Sequence, residues 1–355
     1  MKLLIISTDR KIFEEGSAVR VRVFEYAKDW GEVHIIVFTK KNMRFTEICI
    51  APNCWVYPTN SFSQWFYVFG AMKLGRFILE RRNITNITCQ DPFLTAMSGI
   101  SLKRQYDIPL EINLHTDIGS PNYAKTIGNK IRKSLALSYL PKADSIRVVS
   151  SRIRDYLVKT VGIDQSKISI RPITVDVEWI KNAPVIESAD LHEKYPQFKK
   201  IILMASRLEK EKNIELAIRA FAEVLKKLPK TGLVIVGEGR EETKLKKLSA
   251  RLGIENSVIF GSWANKETIA SYYKTADIFL NTSLYEGYGM TLVEAQATGC
   301  KIISTDVGIA KEVGVMIVGY NVTEIANMII SCLIPMSDIV TGITYEITDN
   351  NPKSR

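Results

Sequence analysis

Two doubly wound α/β domains, each a mostly parallel sheet wrapped by helices, are the architecture that this chain of 355 residues predicts. Three observations lead there. Short apolar runs rich in Ile and Val alternate with longer amphipathic stretches, the pattern of parallel strands joined by crossover helices. The alternation stops at Arg171-Pro-Ile-Thr-Val-Asp176 and the Pro-containing stretch 182–199, then restarts at Ile201. Finally, 355 residues exceed one simple core and suit two domains of ordinary size.

In the first series, Lys2–Ser7 is the opening strand: its Leu-Leu-Ile-Ile run is too short for a signal peptide and turns polar at once. Further apolar runs place strands at 33–38, 86–89, 110–114, 145–149 and 168–170, and amphipathic stretches place helices at 17–30, 64–82, 93–104, 123–140 and 151–160. The second series has strands near 201–206, 232–236, 257–260, 277–281, 301–303 and 315–318, with helices near 213–228, 240–252, 266–275, 291–298 and 322–333. The expected division is 1–175, 176–335 and a short C-terminal tail at 336–355. In open sheets of this kind ligands bind beyond the carboxyl ends of the strands, so two facing sheets are expected to hold the site between them.

Composition narrows the function. Hydrophobic residues at 46% and charged residues at 24% describe a folded chain without a long disordered arm. Five cysteines, odd in number and scattered, with no Cys-x-x-Cys pair, fit a reducing, cytoplasmic setting. The Asn-x-Ser/Thr triplets at Asn83, Asn86, Asn281 and Asn321 then read as chance matches. The net charge of +10 is uneven: residues 1–176 hold 26 Lys and Arg against 16 Asp and Glu, the rest 22 of each. A basic first half suits an anionic partner, such as a membrane surface, and equally suits plain solvation. Within it, 123–140 sets Ile127, Ile131 and Leu135 on one face with Lys125, Lys130, Arg132 and Lys133 elsewhere. That pattern fits a basic interfacial helix or a half-buried surface helix. Residues 62–79 are too short and too charged near the end to span a membrane, and read as a core helix.

The richest stretch for chemistry runs from Ser283 to Glu294. Glu286 stands before the turn Gly287-Tyr288-Gly289, and Met290, Thr291 and Glu294 belong to the helix that follows. Such a junction aims backbone N–H groups at an anion, while the two carboxylates accept hydrogen bonds from hydroxyls. A sugar diphosphate has that shape; a routine turn with solvated glutamates is the alternative. Arg207 and Lys212 lie on a strand-end loop ahead of a helix that Asn213 is expected to cap. Arginine grips phosphate oxygens as a fork and lysine adds a point charge, each bond contributing about 1.5–3 kcal/mol, although an ordinary charged surface loop looks the same. His115 sits just past the strand 110–114, with Asp117 either its partner or a turn residue. Gly16, ahead of the helix that Ser17 opens, lets a phosphate or sugar approach the backbone. No Gly-x-Gly-x-x-Gly is present, which argues against a nicotinamide or flavin enzyme, and no Asp-x-Asp or His-x-x-x-His suggests a metal site.

Together, Ser206-Arg207 with Lys212, Val236-Gly237-Glu238-Gly239, Phe260-Gly261, and the block from Glu286 to Glu294 continuing through Ala295-Gln-Ala-Thr-Gly299 resemble the retaining nucleotide-sugar glycosyltransferases of family 4. The resemblance spans residues 1–330 and implies the GT-B fold, two Rossmann-like domains facing across a cleft, the first taking the acceptor and the second the donor. It implies that Arg207 and Lys212 bind the donor diphosphate and that Glu294 holds the ribose. Glu286, with the amides of Gly287–Met290, would touch the transferred sugar. Gly237, Glu238 and the residues around Phe260 and Gly261 would line the base pocket, while His115 and Gly16 match an active-site histidine and a loop glycine. No cofactor or metal is implied beyond a UDP-, GDP- or other nucleotide-diphosphate sugar, and the acceptor is a glycan, lipid or small molecule. Three departures stand out: Glu15 where the family has a first glycine, one glycine rather than two at Asp306-Val-Gly308, and a short stretch after Leu333. A sugar-nucleotide epimerase of the same fold, and a non-catalytic lipid- or nucleic-acid-binding protein, are the other readings. Nucleic acid is not expected, because no clustered cations interleave with aromatics.

Overall fold

A computed structural model describes residues 1–334, so the tail read at 336–355 lies outside the described residues. The described residues divide into two compact units, Met1–Pro172 and a second that begins at Ile173. In the first, strands β1 (Lys2–Ser7), β2 (Glu32–Val37), β3 (Ile48–Ala51), β4 (Cys54–Pro58), β5 (Asn86–Cys89), β6 (Leu110–Leu114), β7 (Ser145–Val148) and β8 (Ile168–Ile170) form one sheet in the order β3-β4-β2-β1-β5-β6-β7-β8. All pairs are parallel except β3 with β4. That hairpin was not expected from sequence. β4 buries Cys54 and Val56 and leaves Trp55 and Tyr57 partly exposed, while β3 buries no residue fully, so the pair lacks the continuous apolar run of the inner strands. Asn53, at its turn, donates to the carbonyls of Ala27 and Trp30, both at 2.7 Å.

Helices α1 (Ala18–Ala27), α2 (Tyr67–Leu79), α3 (Leu94–Tyr106), α4 (Ile127–Tyr139) and α5 (Ser151–Tyr156) cover this sheet. The core-helix reading of 62–79 needs correction. Tyr67, Ala71, Gly75 and Ile78 face inward, but Phe62, Trp65, Phe66, Phe69 and Phe77 are exposed. On α4 the apolar Ile127 and Ile131 are exposed as well, and Ala136 is its buried residue.

The second unit builds on β9 (Lys200–Ala205), β10 (Thr231–Val236), β11 (Val258–Gly261), β12 (Ile278–Asn281), β13 (Lys301–Thr305) and β14 (Met316–Val318), all parallel, in the order β11-β10-β9-β12-β13-β14. Its helices are α6 (Val177–Asn182), α7 (Leu191–Lys194), α8 (Ile214–Lys227), α9 (Glu242–Arg251), α10 (Lys266–Thr275), α11 (Met290–Ala297) and α12 (Val322–Leu333). The two-residue period of a strand sends alternate side chains to opposite faces. Ile202 and Met204 accordingly join Phe221 of α8 and Ile329 of α12 in one core, while Ile201 and Leu203 join Tyr273 of α10 and Leu292 of α11 in the other. Each fully buried Ile or Leu contributes about 1.5–3 kcal/mol, so burial on both faces fixes the strand ends firmly.

Candidate active site

In the second unit the sheet order reverses direction between β9 and β12, and the loops leaving their carboxyl ends diverge. A crevice at such a switch point is where open α/β sheets bind ligands. The loop after β9 carries Arg207 and Lys212, and the loop after β12 carries Glu286. The two loops are joined: Leu284 N–H donates to the Glu211 carbonyl at 2.7 Å, and Thr282 Oγ1 donates toward the carbonyls of Lys212 and Asn213 at 3.2 and 3.1 Å.

At their junction Lys212 Nζ meets Glu286 Oε1 at 2.5 Å, with 15% and 17% of the two side chains exposed. Ser283 Oγ, fully buried, lies 2.7 Å from Glu286 Oε1 and 2.7 Å from Asn281 Oδ1; its single proton serves one of them at a time. Asn281 Nδ2 in turn donates to Ser304 Oγ at 3.0 Å. Glu286 is thus held by a chain of polar groups that the sequence reading did not single out. Asn281-Thr-Ser283 was read only as a chance glycosylation triplet, and the visible signal was a polar run closing the apolar strand Ile278-Phe-Leu.

Arg207 does not join that pair. Its guanidinium donates to Glu211 Oε1 at 3.0 Å and the side chain is 65% exposed. Asn213 occupies the position before α8, but in the left-handed region (φ 50°) and without a capping side-chain bond, so the expected cap is absent.

Gly237 shapes the loop carrying Arg207. At φ +136°, a Cβ there would stand 2.0 Å from the Ser206 carbonyl oxygen, and its N–H donates to the Gly261 carbonyl at 3.0 Å. Glu238 is exposed, and its carbonyl accepts from Leu208 N–H at 2.8 Å. Phe260 packs against the core, with Lys246 Nζ 5.6 Å from its ring centre.

Gly289, at φ +101°, brings the chain into α11, whose first turn includes Met290 and Thr291. The loop of Gly287 and Tyr288 is braced by the Tyr288 carbonyl, which accepts from Ile309 N–H at 2.9 Å. Gly308 sits so close that a Cβ would lie 2.1 Å from that same carbonyl oxygen. Glu294, one turn into α11, accepts from the buried Tyr273 hydroxyl at 2.9 Å. Desolvation raises its pKa, and the Tyr273 bond opposes that rise.

In the first unit the order reverses between β1 and β5. Gly16 lies on the loop after β1, exposed, at φ +73° with open space around it. Ser17 caps α1, its Oγ accepting from Arg20 N–H at 3.2 Å. His115 follows β6 and is exposed at its surface, yet desolvation first, then Arg147 and Arg22, lower its pKa to about 4. Asp117 is a turn residue, its Oδ1 accepting from Gly119 and Ser120 N–H, both at 3.0 Å. Asn113 and Arg147 are neighbours in register on β6 and β7. Among the described residues, Asn113 Oδ1, Arg147 Nε and Ser150 Oγ are buried without a hydrogen-bond partner. No group of three or more His, Cys, Asp or Glu among the described residues is placed to hold a metal ion.

Comparison with known proteins agrees with the two α/β units. Residues 24–179 match the family described as Glycosyltransferase Family 4, and residues 189–333 match Glycosyl transferases group 1. The chain is 28% identical over 299 residues to the alpha-monoglucosyldiacylglycerol synthase of Streptococcus pneumoniae, covering 81% of this chain and 67% of that protein. The chain spans 53% to 67% of the length of the first curated relatives it matches. Sucrose-phosphate synthase from Thermosynechococcus elongatus shares the fold with a TM-score of 0.76 at 17% identity, over 97% of this chain and 91% of that one. Anabaena HepE, solved with UDP and glucose, gives 0.71 at 19% identity, over 95% and 91%.

Proposed function

The chain belongs to the family 4, group 1 glycosyltransferases with the GT-B fold, and from that premise we propose a retaining enzyme that takes a sugar from a nucleotide-diphosphate donor. The observation that carries this reading is the Lys212–Glu286 pair, 2.5 Å apart at the switch point of the second sheet and one turn of loop from the start of α11. A cation, an oriented carboxylate and a helix N-terminus at one strand end match the three parts of a sugar diphosphate.

In this proposal Lys212, with Arg207 swinging from Glu211, neutralises the diphosphate as it departs, while Glu286 and the amides of Gly287–Met290 hold the sugar. Glu294 binds the ribose diol. The base lies by Gly237, Glu238, Phe260 and Gly261. The chemical need is to stabilise negative charge on the leaving diphosphate while positive character grows at the anomeric carbon. Attack on the same face, with the leaving phosphate accepting the acceptor's proton, retains configuration; fixed cations and amides carry this without a metal.

Within the first unit, this reading gives His115 a sugar hydroxyl to contact and Gly16 a close backbone approach to a ligand. The neutral ring that His115 keeps near pH 7 can donate or accept one hydrogen bond from a hydroxyl. The unspent polar atoms of Asn113, Arg147 and Ser150 support a polar acceptor group in that unit. UDP in the HepE structure supports a uridine donor, and the name of the Streptococcus pneumoniae relative, a synthase of a glucosylated diacylglycerol, supports a lipid acceptor over a free glycan or small molecule. The basic first half fits an enzyme working peripherally at an anionic cytoplasmic membrane face, and among the described residues no helix is long and apolar enough to cross a membrane.

The test is a panel of nucleotide sugars, followed by slow hydrolysis of each. Turnover of one donor, lost in Lys212→Ala and Glu286→Ala with the fold intact and unchanged by EDTA, is the expected result. Wild-type turnover in both variants would remove the proposed site, and strict metal dependence would remove the mechanism.

A further inference from the structure

Helix α2 is apolar on both sides, and only one side is covered. Its inner face is committed: Gly75 lies where a Cβ would stand 2.4 Å from Leu102 Cδ1, so α2 and α3 approach closely along Ala71 and Gly75. The opposite face and the turn before it present Phe62, Trp65 and Phe69 at 88%, 84% and 70% exposure, with Phe66 and Phe77 beside them. The turn is held in place, since Ser61 Oγ donates to the Phe66 carbonyl at 3.2 Å and Phe66 N–H to the Ser63 carbonyl at 3.1 Å. An aromatic face of this size left in water is costly, and such patches mark contact with a partner or a membrane.

The charges around it identify which. Lys73, Arg76 and Arg81 stand at the far end of the same face with Glu80 as the acid among them, while Arg82 turns away toward Glu32 and the Trp55 ring. The Arg81 guanidinium lies 4.0 Å from the Phe77 ring centre. Between rings and cations opens a shallow hollow of about 360 Å³ lined by Phe69, Met72, Lys73, Arg76, Phe77, Glu80 and Arg81, three cations against one acid. Aromatic rings that enter the headgroup and acyl boundary, followed within two helical turns by cations at phosphate level, are the chemistry of an interfacial helix on anionic lipid.

We propose that the outer face of α2 and the turn 62–66 form the surface by which this protein docks on an anionic phospholipid bilayer. It deepens the proposed function, resting on that reading only in that a membrane-borne acceptor gives the docking its purpose. It also places the contact on α2, where the sequence had pointed to α4.

The full chain is sedimented with phosphatidylcholine vesicles made with and without phosphatidylglycerol. Binding is expected to the anionic vesicles, weakened by added salt, with Trp65 fluorescence quenched by brominated lipid and no such quenching component in Trp65→Phe. The double variants Lys73→Glu/Arg76→Glu and Phe62→Ser/Phe69→Ser should each lower the partition coefficient roughly tenfold or more. Because all four side chains are exposed, these variants should fold, which circular dichroism checks. Equal binding to neutral vesicles, or unchanged binding in both double variants, overturns the proposal. So does a concentration-dependent dimer that Phe62→Ser/Phe69→Ser dissociates in the absence of vesicle binding, since the face would then belong to a second copy. Nucleotide-sugar hydrolysis measured without lipid reports on the donor site separately. Intact hydrolysis with no vesicle binding overturns docking alone, and vesicle binding with no hydrolysis supports docking while refuting the donor chemistry.

Discussion

Glu286→Gln removes one charge and keeps the shape of the side chain, so it separates electrostatics from packing. In the protein Glu286 Oε1 lies 2.5 Å from Lys212 Nζ and 2.7 Å from Ser283 Oγ, with under a fifth of either charged side chain exposed. A charge-assisted bond contributes about 1.5–3 kcal/mol and a neutral one about 0.5–1.5, so the exchange should cost about 1–1.5 kcal/mol of stability. In a unit of this size that corresponds to a Tm lower by roughly 2–6 °C. Turnover should fall far more, roughly 100- to 1000-fold, the usual effect of removing one preorganised group from a transition state. Affinity for the nucleoside diphosphate should move by less than about tenfold, because the proposed function gives the carboxylate to the sugar. Calorimetry, product formation and isothermal titration read the three quantities. Lys212→Met and the double variant complete a cycle whose coupling should match the stability loss. A lower Tm with unchanged turnover would refute the reasoning, since the pair would then be a structural ion pair and nothing more.

Three further outcomes are expected. Gly237→Ala, forced against the Ser206 carbonyl at φ +136°, should cost roughly 2–4 kcal/mol, whereas Gly253→Ala, at φ +68° with open space around it, should cost only about 1; equal denaturation midpoints would contradict this. Tyr273→Phe removes the bond that opposes the desolvation of Glu294, so the raised pKa of that carboxyl should rise further. Nucleotide binding measured against pH should then fail at a higher pH on the acid side than in the wild type, and coincident profiles would separate Glu294 from the ligand. His115, lowered to about 4 from an ordinary 6.5, should remain neutral through the physiological range. The unfolded chain binds that proton first, so stability from this group is complete above pH 6.5 and is lost as pH falls toward 4. His115→Gln should flatten that slope in denaturation curves, and an unchanged slope would assign it to other groups.

The fold was legible because short Ile- and Val-rich strand segments alternate with amphipathic helices: Lys2–Ser7, Asn86–Cys89, Leu110–Leu114 and Ile168–Ile170 begin and end where the sequence places them. The hairpin β3–β4 was not, because an edge pair needs no continuous apolar run. Within the site, the sequence named Lys212 and Glu286 from their loops, 74 residues apart, and the shared switch point brings them together. It did not reveal that Arg207 rests on Glu211, since a side chain's preference among several nearby carboxylates is a matter of rotamers. Nor did it find Ser283, Asn281 or Tyr273, whose roles come from burial next to a carboxylate rather than from any motif. The outer face of α2 misled for a related reason: an apolar helix reads as buried, whichever medium eventually covers it.

The Lys212–Glu286 pair has one more effect. The Lys212 ammonium is neutralised by the Glu286 carboxylate beside it. A stray inorganic phosphate gains Lys212 only by stranding Glu286, and has no hydroxyl donors to offer that carboxylate in exchange. A sugar diphosphate compensates both sides at once, anion to ammonium and hydroxyl to carboxylate. If the pair holds the donor as proposed, the contact acts as a filter against half-matching solutes, and phosphate should compete poorly where the complete leaving group competes well.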